Sequence, residues 1–224
     1  LELSGINLSN AKLANTDLSR TVLVNANLAK ADLRAANLAG STLTHADLRN
    51  ANLSRATLTG AMLRWAKLSG AKLGAAILHM ADLSGIEGSG VRLEQTDLSF
   101  CNLVQANLTN ADLTGAHVYG VAAWNVNLKD AVQRNLSITR TNEPSITVDD
   151  LQIAQFLYLI LNNRNVRTVI DTLTTKIVLL LGRFTPKRKR VLDALRQGLR
   201  QHDYVPILFD FDRPVSRDFT ETVV

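Results

Sequence analysis

Two groups of charged residues near the C-terminus could take part in ligand chemistry. The first is a run of cations at the predicted start of a helix: Lys187, Arg188, Lys189 and Arg190. These cations oppose the helix dipole, and a bound phosphate would relieve that repulsion. The second is Asp210 and Asp212, which end a predicted strand, where a nucleotide ribose is often held. A solvated basic face and turn-forming carboxylates before Pro214 account for the same residues, so both interpretations stay open.

A predicted strand–helix–strand unit positions these residues. The apolar run Lys176–Leu181 is typical of a buried parallel strand, and Tyr204–Phe209 is predicted to be a second one. The loop after the first strand contains Gly182, Arg183 and Phe184. A helix is predicted to follow, with Pro186 in its first turn. Because two strands cannot cover their own faces, the sequence predicts an incomplete α/β domain. It contains no Walker A loop and no G-x-G-x-x-G motif.

A period of five residues runs through more than half of the chain. Of the 26 positions taken every fifth residue from Leu3 to Leu128, 23 are leucine. The residue two positions earlier is alanine in 15 cases, and the residue directly before the leucine is Asp or Asn in 13. The exceptions to leucine are Gly88, Val118 and Ala123. Such a long regular pattern indicates a repeat architecture rather than isolated helices or strands.

The repeat predicts a coil with an apolar interior. A period of five fits neither an α-helix nor a continuous strand. Alternation within each repeat points the small residue and the leucine inward and the Asp or Asn outward, and the remaining two residues must turn the chain. Where Gly88 removes an inward leucine, Ile86 and Val91 are predicted to fill the space. An alternative is that Gly85, Gly88 and Gly90 let that face bend into a notch.

These repeats, from Leu1 to about Ala131, resemble the pentapeptide-repeat family. The resemblance implies a mainly β fold, a right-handed quadrilateral β-helix in which 26 repeats at four per coil make about 6.5 coils. Such a solenoid needs caps on its open ends, so the lack of one before Leu1 leads us to expect an upstream segment or end-to-end self-association. Residues 132–146 are a predicted linker, 147–174 a helical cap or connector with a capping box at Thr147–Asp150, and 175–224 the incomplete α/β segment. A second short helix is predicted at about Val166–Leu173.

The last segment, Lys176–Glu221, resembles TIR-like (Toll/interleukin-receptor-like) and related nucleotide-binding domains of bacteria. The resemblance rests on Gly182 and Arg183 in the first loop and on Glu221 in the sequence RDFTE. It implies a pocket for NAD or a related nucleotide, with Glu221 as the catalytic residue if the complete protein cleaves NAD. The expected nucleotide-binding residues are Gly182, Arg183, Phe184, Lys187, Arg188, Asp210 and Asp212.

The net charge of the repeats indicates which classes of partner they can bind. Residues 1–142 contain 13 Lys and Arg against 10 Asp and Glu, a net charge of +3. The side centred on Leu13 and Leu33 carries Lys12, Arg34, Arg55, Lys72, Arg92 and Arg134. This weak basic stripe argues against DNA mimicry, by which some proteins of the family inhibit type II topoisomerases, and it would bind nucleic acid only non-specifically. Trp65 and Trp124 occupy positions that do not point inward, so each is a candidate contact residue or packs against the capping segment.

Few other residues have types or spacings suited to chemistry. The four histidines lack the spacing of metal ligands: His45, His79, His117 and His202. Cys101, the only cysteine, occupies an inward position and is interpreted as buried filler. A single cysteine excludes an intramolecular disulfide and fits a reducing, cytoplasmic compartment. No apolar run is long enough to span a membrane, and no secretory signal is visible.

Three functions compete at this point. The preferred one is a non-enzymatic scaffold for protein interaction or oligomerisation that carries a TIR-like nucleotide-binding domain. The second is an NAD-hydrolysing effector in the complete protein. The third, disfavoured by charge, is a DNA mimic directed against topoisomerases.

Overall fold

The computed structural model describes residues 1–140, 143–162, 177–182, 186–202 and 205–210. The chain divides into two compact units, Leu1–Leu159 and Ile160–Val224. After the repeats, the regular elements are β1 (Leu136–Ser137), β2 (Thr147–Val148), α1 (Leu151–Asn162), β3 (Ile177–Gly182), α2 (Pro186–Gln201) and β4 (Val205–Asp210). The predicted helix at about Val166–Leu173 lies outside the described residues.

The repeats form a coil of 20 residues per turn. Parallel bridges join residues that are 20 positions apart, from Glu2 with Val22 to His117 with Ser137. Because each repeat has five residues, one coil has four sides, which makes the first unit a quadrilateral β-helix. The ladder continues past Ala131 to Ser137, where β1 pairs with β2 in antiparallel register. We number the sides from the start of the chain, so that side 1 contains residues 1–5, 21–25 and so on, side 2 begins at residue 6, side 3 at 11 and side 4 at 16.

The interior contains the side chains that the repeat predicts. Leucines such as Leu53 and alanines such as Ala51 are fully buried in one continuous core, and Cys101 fills an alanine position at 1% exposure. The prediction for Gly88 is also confirmed, since Ile86 and Val91 are buried beside it. Glu87 is bridged to both Lys67 and Asn107, so the ladder continues without interruption through this region.

Every repeat turns at a residue in the left-handed region. All 27 positions from 5 to 135 that are multiples of five have φ between 52° and 72°. A hydrogen bond closes most of these turns, as when the Ala26 nitrogen donates to the Leu23 carbonyl at 3.1 Å. Glycine and asparagine occupy many of these positions because they adopt this conformation at low cost, and no β-branched residue occurs among them.

The Asp or Asn before each leucine holds the turn that follows it. Its Oδ1 accepts a hydrogen bond from the backbone nitrogen two residues later at all 13 positions where the repeats have Asp or Asn. In one example, Ser54 N donates to Asn52 Oδ1 at 3.1 Å. Short side chains that bond to their own backbone favour turns. Asp and Asn are therefore favoured at this position both because they are polar and because their side chains hold the turn.

Side chains at the corners lean toward the following coil. A Cβ built on Gly85 would lie 2.2 Å from Cε3 of Trp65, which is 20 residues earlier. The same arrangement places Arg20 over Gly40, Asn50 over Gly70, Gln95 over Gly115 and Phe100 over Gly120. Gly60 and Gly90, which follow other glycines by one coil, have nothing within 4 Å of such a Cβ. Glycine thus serves two purposes at these corners, a left-handed turn and a seat for the preceding corner side chain.

Helix α1 packs against the last coil. Leu151 and Ala154 belong to the same core as the repeats, and Gln155 Oε1 accepts a hydrogen bond of 3.0 Å from the Ala123 nitrogen. The predicted capping box with Thr147 as its first residue is wrong, because Thr147 pairs in β2. Asp150 is the N-cap instead, and its Oδ1 accepts from the nitrogens of Gln152 and Ile153 at 2.8 and 2.9 Å.

The second unit contains the predicted strand–helix–strand order. Strands β3 and β4 are parallel, with Ile177 opposite Val205 and Gly182 opposite Asp210. Helix α2 connects them, as expected for a parallel pair.

Candidate interaction surface

The four sides of the coil differ strongly in charge. Between residues 1 and 137, sides 2 and 3 contain 16 of the charged residues and sides 1 and 4 contain six. Arg64 and Asp82, two of those six, form an ion pair with 3.7 Å between nitrogen and oxygen. The first unit therefore has a charged half, sides 2 and 3, and an apolar half, sides 1 and 4.

The large exposed apolar side chains lie mainly on the apolar half. Those more than a third exposed on sides 1 and 4 after the first coil are Met62, Trp65, Ile77, Met80, Phe100 and Trp124, at 45, 44, 45, 63, 44 and 57%. Val132, on side 3, is the exception between residues 2 and 137. The outward positions of Trp65 and Trp124 agree with the sequence prediction. Sequence reasoning missed the other four, although each is an apolar residue at an outward position of the repeat.

A corner with aromatic side chains joins sides 4 and 1. Met80 and Phe100 occupy this corner in successive coils, and the Met80 backbone nitrogen donates to the Ser99 carbonyl at 3.0 Å. The Phe100 ring makes edge-to-face contacts with His79 and Tyr119, with centroid distances of 5.6 and 5.4 Å. Such pairs add to the stabilisation that burial provides. We call the surface of Met62, Ile77, Met80 and Phe100 the apolar corner.

Helix α1 covers the C-terminal end of this corner. Tyr158 contacts Phe100 and Tyr119 with ring centroids 6.3 and 5.0 Å apart, both edge-to-face. The guanidinium of Arg140 lies 5.5 Å from the centroid of the Tyr119 ring, and its Nε donates to the Tyr119 hydroxyl at 3.0 Å. The corner is thus already a docking surface for one helix of the same chain.

Trp65 borders an open groove on the corner between sides 1 and 2. The groove is lined by Asn25, His45, Trp65, Lys67, Gly85 and Glu87. Since the indole ring sits over Gly85, the Trp65 side chain is held against the coil while 44% of its surface stays exposed. A fixed, half-exposed tryptophan is a typical anchor for a partner protein.

The cations of the predicted basic stripe differ in their neighbours. Lys72 and Arg92 are ladder neighbours, whereas Lys12 is opposite Asp32. Arg34 forms an ion pair of 2.6 Å with Asp32, and this contact lowers the pKa of the Asp32 carboxyl to about 2. Arg55 occupies a left-handed corner position, and Arg134 lies on the same side. Within the described residues, Arg34 is the one cation of the stripe that forms an ion pair.

A chain of polar contacts crosses side 4 without the geometry of a catalytic triad. Ser99 Oγ contacts Asp97 Oδ1 and lies 3.1 Å from His79 Nδ1. Because the hydroxyl donates its only hydrogen to the carboxylate, His79 must donate to the serine and cannot act as its base. His117, predicted to have only a surface role, lies with Nδ1 3.5 Å from Asp97 and Nε2 against the Thr139 carbonyl. These contacts join the ladder to the segment that follows β1.

The candidate nucleotide residues fall only partly within the described structure. Gly182 and Asp210 lie opposite each other at the carboxyl ends of β3 and β4. Lys187 and Arg188 are in the first turn of α2. Arg183, Phe184, Asp212 and Glu221 lie outside the described residues.

Across the described ranges, no three residues among His, Cys, Asp and Glu are grouped so that they could hold a metal ion. In the same ranges no helix has the length and apolar character needed to cross a membrane.

The ladder, the left-handed corners and the two-sided surface define a β-solenoid repeat protein. The family model for pentapeptide repeats matches eight copies within residues 2–40, 36–74 and 89–122. Through these repeats the chain belongs to the pentapeptide-repeat family, whose members fold as right-handed quadrilateral β-helices.

Several solved structures of this family are similar to the chain. HetL from the cyanobacterium Nostoc sp. strain PCC 7120, involved in heterocyst differentiation regulation, is 27% identical over 62% of this chain and 90% of its own, with a TM-score of 0.30. Rfr23 from the cyanobacterium Cyanothece 51142 is 31% identical over 58% and 85%, with a TM-score of 0.19. QnrB1, a plasmid-mediated fluoroquinolone resistance protein, is 18% identical over 58% and 79%, with a TM-score of 0.30. No curated protein is a match.

Proposed function

We propose that the first unit is a protein-interaction scaffold whose apolar half binds a partner. The observation that carries this proposal is the placement of six exposed apolar side chains on sides 1 and 4, which contain six of the charged residues of the coil. Contact surfaces are depleted in charge and enriched in Trp, Phe and Met at their centres. The coil offers such a surface on a backbone fixed by hydrogen bonds between successive turns.

The charges of the repeats favour this function over DNA mimicry. A mimic of DNA needs a dense negative surface, whereas residues 1–142 have a net charge of +3. Two of the outward carboxylates, Asp32 and Asp47, are also paired with Arg34 and Arg49 at 2.6 and 2.5 Å. A weak positive surface with paired carboxylates suits a protein partner better than the DNA-binding site of an enzyme.

Affinity enrichment from the source cells tests the scaffold function. We would compare the complete protein with a Trp65→Asn, Trp124→Ser variant, since Asn is favoured at the left-handed position of residue 65. Lys30→Asn, at a left-handed position on side 2, is the matched control. We expect the control to retain a partner that the double variant loses by about tenfold or more. Equal recovery by all three proteins, or no specific partner, would contradict the proposal.

We further propose that the second unit binds NAD or a related nucleotide, as its TIR-like sequence implies. The pairing of Gly182 with Asp210 supports this, because ligands in open α/β sheets bind at the carboxyl ends of the strands. The start of α2, four residues after Gly182, would provide backbone N–H groups for a phosphate. The first test is a calorimetric titration of the complete protein with NAD and ADP-ribose while nicotinamide release is followed.

The outcomes of this titration separate the two roles of the second unit. Binding without nicotinamide release would support a nucleotide-sensing scaffold. Binding with release that Glu221→Gln abolishes would identify an NAD-hydrolysing effector. Absence of binding would refute the nucleotide proposal and leave the scaffold function of the first unit untouched. A cytoplasmic location is part of the same proposal, because a cytoplasmic pool would supply the nucleotide.

A further inference from the structure

We infer that the apolar corner binds the apolar face of a single α-helix from a partner protein. This inference rests on the proposed scaffold function and specifies the partner's chemistry and the place where it docks. The corner consists of Met62, Ile77, Met80 and Phe100, and Met80 is its most exposed member at 63%.

The first argument is that the neighbouring stretch of the same corner already holds a helix. Helix α1 places Tyr158 against Phe100 and Tyr119. The sequence of α1, LQIAQFLYLILN, contains no charged residue. Phe100 therefore has α1 on its C-terminal side, while Met80 lies one coil earlier on the other side. A second apolar helix would extend the apolar interface that α1 already forms with this corner.

The second argument is the size of the corner. Met62 is opposite Asp82 in the ladder, and Asp82 lies two residues after Met80. Met62 and Phe100 are thus separated by about two coils, or roughly 10 Å at about 4.8 Å per coil. This height matches the diameter of one α-helix, about 10–12 Å.

The third argument is charge. Arg20 and Arg64 are the only cations on sides 1 and 4 between residues 1 and 137, and Arg64 is paired with Asp82. Nucleic acid and anionic lipid surfaces both require several accessible cations. An apolar helix from a protein makes no such demand, and helices that dock in this way do so through apolar anchors spaced three or four residues apart.

Site-specific photo-crosslinking of the complete protein in its source cells tests the inference. The photoreactive residue p-benzoylphenylalanine would replace Met80 in one variant and Lys30, on the charged half, in a second. We expect crosslinks from position 80 to a helical segment of another protein, and few or none from position 30. A crosslink to a strand or loop, to lipid, to a second copy or to residues 160–224 of the same chain would overturn the inference.

Binding of the identified helix as a synthetic peptide provides the quantitative measurement. Met80→Asn removes the apolar side chain and keeps a residue suited to the left-handed backbone, and Lys30→Asn is again the control. Met80→Asn should weaken the peptide about tenfold and Lys30→Asn should leave its affinity unchanged. Equal affinity for the two variants would refute the role of the corner. If affinity enrichment finds a partner that depends on Trp65 and Trp124 but not on Met80, the scaffold function stands and this inference fails.

Discussion

Gly85→Ala tests whether corner side chains really rest on the next coil. Both Gly85 and Gly60 have a left-handed backbone, with φ of 67° and 63°. Alanine in that conformation costs about 1–2 kcal/mol at either position. At position 85 the new Cβ would also lie 2.2 Å from the Trp65 ring, whereas at position 60 nothing lies within 4 Å. Overpacking of this kind costs about 1–3 kcal/mol more.

The prediction is therefore that Gly85→Ala destabilises the protein more than Gly60→Ala, although both exchange glycine for alanine. Thermal unfolding followed by circular dichroism would measure it, and about 1 kcal/mol corresponds to a shift in Tm of about 2–4 °C for a protein of this size. A Trp65→Gly background removes the side chain and reproduces the Gly40–Gly60 arrangement, in which nothing lies within 4 Å of the added Cβ, so in that background we expect Gly85→Ala to cost no more than Gly60→Ala does in the wild type. This double-mutant cycle isolates the contact between residues 65 and 85.

Two results would refute the reasoning. Equal destabilisation by Gly85→Ala and Gly60→Ala would mean that the indole moves aside at no cost, and that the contact contributes nothing to stability. An undiminished penalty for Gly85→Ala in the Trp65→Gly background would assign the effect to the backbone rather than to the ring.

Three further predictions concern the interior and the turns. Ser41→Ala should raise the Tm, because the buried Ser41 hydroxyl has no hydrogen-bond partner and its removal relieves a desolvation cost of about 1–3 kcal/mol. Thr96→Val should lower the Tm, because it breaks the 2.6 Å hydrogen bond from the Thr96 hydroxyl to the Leu93 carbonyl. Cys101 should resist iodoacetamide in the native protein and react on unfolding, since burial raises the pKa of its thiol to about 12; prompt labelling under native conditions would contradict its burial. The bond from Arg34 lowers the folded-state pKa of the Asp32 carboxyl from 3.8 to about 2. The ion pair should therefore stabilise the fold fully above pH 4, and this stabilisation should disappear as the pH falls toward 2. Asp32→Asn keeps a turn acceptor and should make the Tm less dependent on pH in that window, as a pH series of melting curves would show.

The repeat made the interior of the coil predictable, because inward Leu and Ala positions follow from alternation over five residues alone. The buried Cys101 and the compensation around Gly88 followed from the same rule. The role of Asp and Asn in the turns did not follow from this rule, since an outward polar position in the sequence does not indicate which hydrogen bond its side chain makes. The N-cap at Asp150 was missed for a related reason, because pairing of Thr147 in β2 requires β1 as a distant partner.

The candidate site was harder to predict than the fold. Trp65 and Trp124 were identified from type and position, but Met62, Ile77, Met80 and Phe100 become a surface only when residues 20 apart are stacked. The ion pair between Arg34 and Asp32 on the basic stripe was not predicted, because it depends on side-chain geometry. Sequence reasoning placed Gly182 just after the first predicted strand and Asp210 at the end of the second, and the parallel register shows that they are opposite each other.

The hydrogen bond that holds each turn needs only the Oδ1 of an Asp or Asn, so the fold of this protein does not depend on the charge at these surface positions. Asn and Asp present the same Oδ1 to the same backbone nitrogen, and the 13 turn positions contain seven Asn and six Asp. Changing the seven Asn to Asp would take residues 1–142 from a net charge of +3 to −4 with no loss of a turn acceptor. A solenoid of this kind can therefore evolve toward basic, neutral or acidic partners by single-atom exchanges on its surface, while its interior and its length stay the same.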